Sequence, residues 1–407
     1  MSTIAVIGGY GMKGDLGVRN PYDLESRKKW IKSDLPFSVE EYEGRVRSVQ
    51  SRAKKDGLDG VIVHGDKNEN GFARWLSNFA PLYGSTYIII PADGEITLVS
   101  DSVLHGEPMH SHWWTTWVPD IRPTKHRIEA LVEEVTTVLG EKHLTDSKKL
   151  GWVGDYGFPV DAIKSKVAGS LRNYNEEFLE LKAIKSPKEV AVMRKSLKIT
   201  SDAMRAGCEA IKAGVSENEI AGIINGTMAR EGSQENAFFT MVVSGAKASL
   251  KHAFPTNRKM KKGDMVYIDF GANYNGYVAD MSRTLTVGPP NAKQKAILDL
   301  AYDIHKATVK MMKPGASCAE IAEKAYELAR EAGMEKDTYV GGHGLGTTLF
   351  DLPVILPKVT TKLAPNMIFA YEPMIVPMDL GTAVVEDDYL VTDSGVERLT
   401  KFDQKLW

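Results

Sequence analysis

The stretch Asp264-Met-Val-Tyr-Ile-Asp-Phe-Gly-Ala-Asn-Tyr-Asn-Gly-Tyr-Val-Ala-Asp-Met-Ser-Arg-Thr284 decides the fold class. Its apolar and β-branched residues lie on both sides of an Asn/Gly-rich centre, which predicts strand, turn, strand. With the turn centred between Tyr274 and Asn275, Asp269 is expected directly opposite Asp280. Opposed side chains on one face of a hairpin have Cβ atoms about 5 Å apart, and like charges there are destabilising. Ile268 and Phe270 flank Asp269, so this charge interrupts a strand built for a core. A buried acid requires a counter-charge, and something cationic is expected between the two.

The idea repeats further along. Glu372 follows Phe369-Ala-Tyr and Glu386 follows Val384-Val, and a hairpin centred on Asp379 sets the two glutamates opposite each other. The imidazoles available to join four such acids are His252, in Ser249-Leu-Lys-His, and His343, in Gly341-Gly-His-Gly. Singly, an acid reads as a solvated strand end and a histidine as surface or satisfied core. Together they read as an oxygen-rich metal centre with added imidazole, which suits Mn²⁺, Fe²⁺, Co²⁺ or Zn²⁺.

Outward from this segment, helices are expected over 187–204, 217–230, 292–312 and 318–332, with Pro187 in a first turn and Ser317 as a cap. Strands are expected over 238–244, 265–271, 277–287, 367–375 and 383–391. Helices over a mostly antiparallel sheet give an α+β domain. Before it, helices over 39–55, 128–139 and 159–167 with strands over 60–64, 86–90 and 96–100 form an α/β unit. The pattern changes to long charged helices near 176–187, so the expected division is 1–175 and 176–407.

The 407 residues carry 51 basic and 53 acidic side chains, a net charge of −2, which supplies no field for a phosphate backbone. Nucleic acid is excluded as a partner. Cys208 and Cys318 are too few for a secreted disulfide framework, and no apolar run approaches the roughly 20 residues needed to span a bilayer, so a cytoplasmic protein without a membrane partner is expected. Gly9, Gly11 and Gly14 match a dinucleotide-binding spacing, but Gly17 and Pro21 stand where the following helix should be. That segment reads as a turn or arm. The run from His105 to Trp117 holds His110 and His112 at a spacing poor for metal, together with Trp113, Trp114 and Trp117, and reads as an apolar strand or interface loop.

The ordered set of acids and histidine resembles the pita-bread metallohydrolases: methionine aminopeptidase, prolidase, aminopeptidase P and creatinase. The resemblance implies a C-terminal pita-bread catalytic domain behind a creatinase/prolidase-type N-terminal α/β domain, and a homodimer in which Trp113 and Trp114 wall a pocket of the partner. It implies two divalent metal ions (Mn, Co, Zn or Fe) held by Asp269, Asp280, His343, Glu372 and Glu386, with Asp280 and Glu386 bridging. Hydrolysis of a C–N bond follows, with Glu372 relaying a proton and His252 donating to the oxyanion or leaving nitrogen. Proline-specific members carry a second histidine and an arginine where this chain has Phe350 and Val384, so these two are candidate substrate-binding positions. The implied substrate is a short peptide of the Xaa-Pro type. Alternatives are a small non-peptide amide or amidine, as in creatinase and ectoine hydrolases, whose branch the segment Val396-Glu-Arg-Leu-Thr-Lys-Phe402 resembles, or a catalytically silent binding protein.

Overall fold

The computed structural model describes residues 35–407 except 82–83, 105–106, 109–115, 126, 148, 156–157 and 379. The glycine triplet at 9–14, and Trp113 and Trp114 with most of their loop, lie outside the described residues. Two compact units divide between Asn175 and Glu176.

The first unit runs α1 (Val39–Lys55), β1 (Gly60–Asp66), α2 (Gly71–Ser77), β2 (Ser85–Pro91), β3 (Thr97–Leu104), β4 (Glu107–Pro108), β5 (Asp120–Lys125), α3 (Ile128–Glu141), β6 (Lys149–Val153), α4 (Phe158–Lys164) and β7 (Ser170–Asn173). One seven-stranded sheet, in the order β4-β3-β2-β1-β6-β7 with β5 beside β3, gathers the strands. It is mixed: β1–β2 and β2–β3 are antiparallel, while β1–β6, β6–β7 and β3–β5 are parallel. Leu131, Val135, Val138 and Leu139 recur at helical spacing on α3 and pack on Ile62, Val99 and Trp152. Trp117 is tied down within this unit, donating its indole N–H to the Leu76 carbonyl at 2.8 Å and stacking on Tyr42.

From Asn175 the chain runs α5 (Asn175–Ala183), α6 (Pro187–Ala210), α7 (Glu217–Arg230), β8 (Glu235–Asn236), β9 (Met241–Ser244), β10 (Met265–Phe270), β11 (Ala272–Tyr274), β12 (Tyr277–Val278), β13 (Met281–Thr286), α8 (Ala292–Val309), α9 (Cys318–Glu331), β14 (Thr338–Gly344), β15 (Asp351–Val354), β16 (Ile368–Ile375), β17 (Ala383–Val384), β18 (Asp387–Val391) and β19 (Val396–Arg398). Local chemistry starts the helices. Ser186 with Glu189, Ser216 with Glu219 and Asn291 with Gln294 form reciprocal capping boxes on α6, α7 and α8. Pro187 occupies the first turn of α6, and Ser317 accepts from the Glu320 N–H to cap α9. Two layers of apolar contact result: Ile199, Met204, Ile220 and Ile224 of α6 and α7 against Val266, Ile268 and Phe270, and Leu298, Ile304, Ile321 and Ala325 of α8 and α9 against Val340, Phe369 and Tyr371.

Every strand pairing in this unit is antiparallel. One sheet has the order β13-β10-β9, a small one β12-β11-β8, and a larger one β15-β14-β16-β18-β19 with β17 beside β16. The expected strand at 277–287 is broken between Val278 and Met281, and the one at 383–391 between Val384 and Asp387. Both breaks fall where an acid turns into the site. The bridge Arg283↔Val385, with the Glu386 N–H donating to the Ser282 carbonyl, joins the two hairpins there.

Candidate metal centre

The first hairpin differs from its expected register by one step. Tyr274 pairs with Tyr277 and Asn273 with Val278, so the turn is Asn275-Gly276, with φ of 52° and 84°. Two positive φ values suit the twist of a tight hairpin, and Asn-Gly is the pair that adopts them at least cost. Asp269 therefore faces Ser282 rather than Asp280. Asp280 lies two residues before Ser282, and the period of two keeps it on the face that Asp269 occupies. Between them Gly271 is indispensable, because a Cβ there would fall 1.6 Å from the Ala279 carbonyl oxygen. In the second hairpin the flanking pairs, Met374 with Val384 and Tyr371 with Asp387, put Glu372 opposite Glu386 as expected.

Asp280, His343 and Glu386 converge: one ligand atom from each lies within 4.8 Å of the others. The His343 Nε2 stands 3.5 Å from Asp280 Oδ2. Its Cα partner Ala370 on β16 and the neighbouring pair Gly341↔Glu372 bring Glu372 beside the group. Gly341 makes this approach possible, since a Cβ on it would lie 2.9 Å from Glu372 Oε1. Asp269 is held by the Tyr267 hydroxyl, which donates to its Oδ2 at 2.5 Å.

Burial raises the proton affinity of all four acids; repulsion from neighbouring carboxylates adds to it at Asp280, Glu372 and Glu386, while at Asp269 hydrogen bonds with Tyr267 and Asp280 offset part of it. Asp269 is pushed up to about 6 and Glu372 to about 8, while Asp280 and Glu386 rise well above the usual carboxylate range. Asp269 Oδ1, Asp280 Oδ1 and both Glu386 carboxylate oxygens are buried without a hydrogen-bond partner. Such orphaned acceptors are costly, and a divalent cation is the group that satisfies four of them at once. The donor set of carboxylates plus one imidazole fits Mn²⁺, Fe²⁺, Co²⁺ or Zn²⁺.

The remaining candidates are placed less closely. His252 is exposed, with a φ of 58°, and shares no hydrogen bond with the acids among the described residues. Phe350 is 68% exposed, its ring 4.7 Å from that of His343. Val384 is buried among Met241, Val243, Tyr267 and Met374.

Three supports escaped the sequence reading. Asp388, buried, accepts the Asp280 N–H. Tyr267 orients Asp269 from two residues away on the same strand face, a spacing that could have revealed it. Under the His343 loop, Asp351 pairs with Gly344 of β14 and receives Lys182 at 3.2 Å and Lys185 at 3.4 Å, all three buried. Burial pushes the Asp351 carboxyl up, but the two ammonium groups and the Thr348 hydroxyl outweigh it and hold it below its ordinary value.

The raised acids make a signed prediction. Asp269 and Glu372 bind protons more tightly folded than unfolded, so they cost no stability below the ordinary carboxylate value of about 4, and their penalty builds above it until it is complete past about 6 for Asp269 and about 8 for Glu372. Chelator-treated protein is expected to melt at higher temperature at pH 5 than at pH 8. Added Mn²⁺ or Co²⁺ is expected to raise the melting temperature most at pH 8. Calorimetry showing the opposite order would count against a buried, metal-free acid cluster.

Comparison with known proteins agrees with this geometry. The sequence model of metallopeptidase family M24 matches residues 191–393. A protein named Xaa-Pro dipeptidase from Pyrococcus horikoshii is 28% identical over 368 residues, covering 89% of this chain and 98% of the relative. Another of that name from Pyrococcus furiosus is 32% identical over 267 residues, covering 65% of this chain and 76% of the relative. The crystal structure of the prolidase from Pyrococcus horikoshii superposes with a TM-score of 0.79 at 26% identity, covering 89% of this chain and all of that one. The chain belongs to metallopeptidase family M24 and has its pita-bread fold.

Proposed function

We propose that the protein is a metal-dependent peptidase acting on short Xaa-Pro peptides, with residues 176–407 as its catalytic domain behind an N-terminal domain of residues 1–175. The observation that carries this reading is the convergence of Asp280 and Glu386 on the His343 imidazole, with buried, unpartnered carboxylate oxygens on Asp269, Asp280 and Glu386, in an M24 chain. Two divalent ions would be held by Asp269, Asp280, His343, Glu372 and Glu386. Bound there, such ions acidify water and polarise an amide carbonyl.

The chain's own residues do the rest. Glu372 is the one acid of the four that is not fully buried, so its carboxylate is placed to pass a proton between water and the leaving nitrogen. His252, exposed at its turn, donates to the carbonyl oxygen as negative charge develops. Tyr267 keeps Asp269 in one orientation. Phe350, lying against His343, forms an apolar wall for the substrate ring. The same reading makes the protein a cytoplasmic homodimer using Mn, Co, Zn or Fe. Its two cysteines are free, and no described helix is long and apolar enough to cross a membrane.

A second reading, hydrolysis of a small non-peptide amide or amidine, is favoured by Phe350 and Val384, neither of which can pair with a peptide's charge. Chelated enzyme reloaded with Mn²⁺, Co²⁺ or Zn²⁺ and offered Xaa-Pro dipeptides, Xaa-Pro tripeptides, creatine and ectoine separates the two. Turnover of proline peptides at about 10⁴ M⁻¹s⁻¹ or better is expected. Turnover of creatine or ectoine alone would overturn the first reading in favour of the second, and turnover of nothing would point to a silent binding protein.

A further inference from the structure

One cation at the edge of the acid cluster has no role in the foregoing chemistry. The Lys251 ammonium stands 4.0 Å from the centroid of the Tyr339 ring. It is half-buried and makes no hydrogen bond or ion pair among the described residues. A stacked ammonium keeps all three N–H donors unspent, and a half-buried one has lost part of the water that would otherwise accept them. Burial accordingly lowers its proton affinity, and the Glu372 charge opposes that shift.

Its position is fixed from several sides. The Tyr339 ring and Glu372 close on the same glycine, since a Cβ on Gly341 would lie 2.7 Å from Tyr339 Cε1 and 2.9 Å from Glu372 Oε1. The short helical turn that precedes Lys251, Gly245–Ser249, is anchored by the Ser249 hydroxyl donating to the Pro377 carbonyl and by the Thr382 N–H donating to that of Ala248. The next residue is His252, held in the left-handed region. Lys251 and His252 therefore leave one constrained turn, with the lysine directed to the Glu372 side.

An anionic substrate approaching four carboxylates is repelled unless a positive charge receives it. Val384, buried among apolar side chains, supplies none. We propose that Lys251 binds the C-terminal carboxylate of a dipeptide substrate, making it the residue that selects free carboxylates over neutral ends. This rests on the peptidase reading above. A lysine that merely offset the Glu372 charge would affect all substrates alike, and that difference makes the assignment testable.

The experiment compares Ala-Pro with its C-terminal amide on Mn²⁺-reloaded wild type, Lys251→Met and Lys251→Arg, with metal content measured for each. Lys251→Met is expected to raise KM for Ala-Pro about tenfold or more, to leave KM for the amide and the metal content little changed, and to be rescued by Lys251→Arg. Equal losses on both substrates, or none on either, would overturn the assignment. Should wild type hydrolyse neither, the peptidase reading fails, and calorimetric binding of the same two compounds then decides Lys251 separately. A preference for the carboxylate that Lys251→Met abolishes supports the assignment. Equal binding of both by wild type overturns it.

Discussion

Glu386→Gln is expected to lower kcat/KM by about 10³-fold or more, the equivalent of several kcal/mol of metal-supplied transition-state stabilisation. The same change is expected to raise the melting temperature of metal-free protein at pH 8. Glu386 is wholly buried, both its oxygens lack donors, and its neighbours are the charges of Glu372 and Asp269. Glutamine keeps the shape, removes one buried negative charge and brings an amide donor toward orphaned acceptors. Steady-state kinetics with metal analysis, and calorimetry in chelator, read the two effects. Loss of activity together with a lower metal-free melting temperature would mean that Glu386 serves the fold rather than a cation.

Asp351→Ala is expected to produce the largest loss of stability, about 3–5 kcal/mol in urea unfolding, because it strands Lys182 and Lys185 in the interior without a counter-charge. Side chains of all three are at most 1% exposed. Adding Lys182→Met to Asp351→Ala is expected to recover part of the loss, since it removes one of the two uncompensated charges. A single-variant effect below about 1 kcal/mol, the range of exposed pairs, would show that water reaches the cluster.

Much of the catalytic unit was legible in its sequence. Pro187 in a first turn and the cap Ser317 announced helices that the structure contains, and acids set among Ile268, Phe270, Val384 and Val385 announced strands whose charges face inward. The hairpin at Glu372 and Glu386 followed from symmetry alone. The hairpin at Asp269 did not, because the turn was centred one residue early, although the pair Asn275-Gly276 carries the conformational signal for the observed register. The helix expected over 292–312 ends at Val309. Asp351 with Lys182 and Lys185 was beyond reach, as its partners lie 169 and 166 positions away and no local pattern links them. Lys251 was hidden for the same reason: its ring partner, Tyr339, comes from a distant strand.

The two-residue turn at Asn275-Gly276 sets a rule for how this chain can vary in length. Side chains alternate across a strand, so one residue gained or lost between Tyr274 and Tyr277 would swing Asp280 to the opposite face and offer the site Ala279 or Met281 instead. Insertions and deletions are thus barred from this connection, while the loop around Lys358, between β15 and the paired stretch 361–363, carries no such parity. Descendants of this sequence are free to lengthen there, and aligned relatives should show their gaps in that loop and none at the turn.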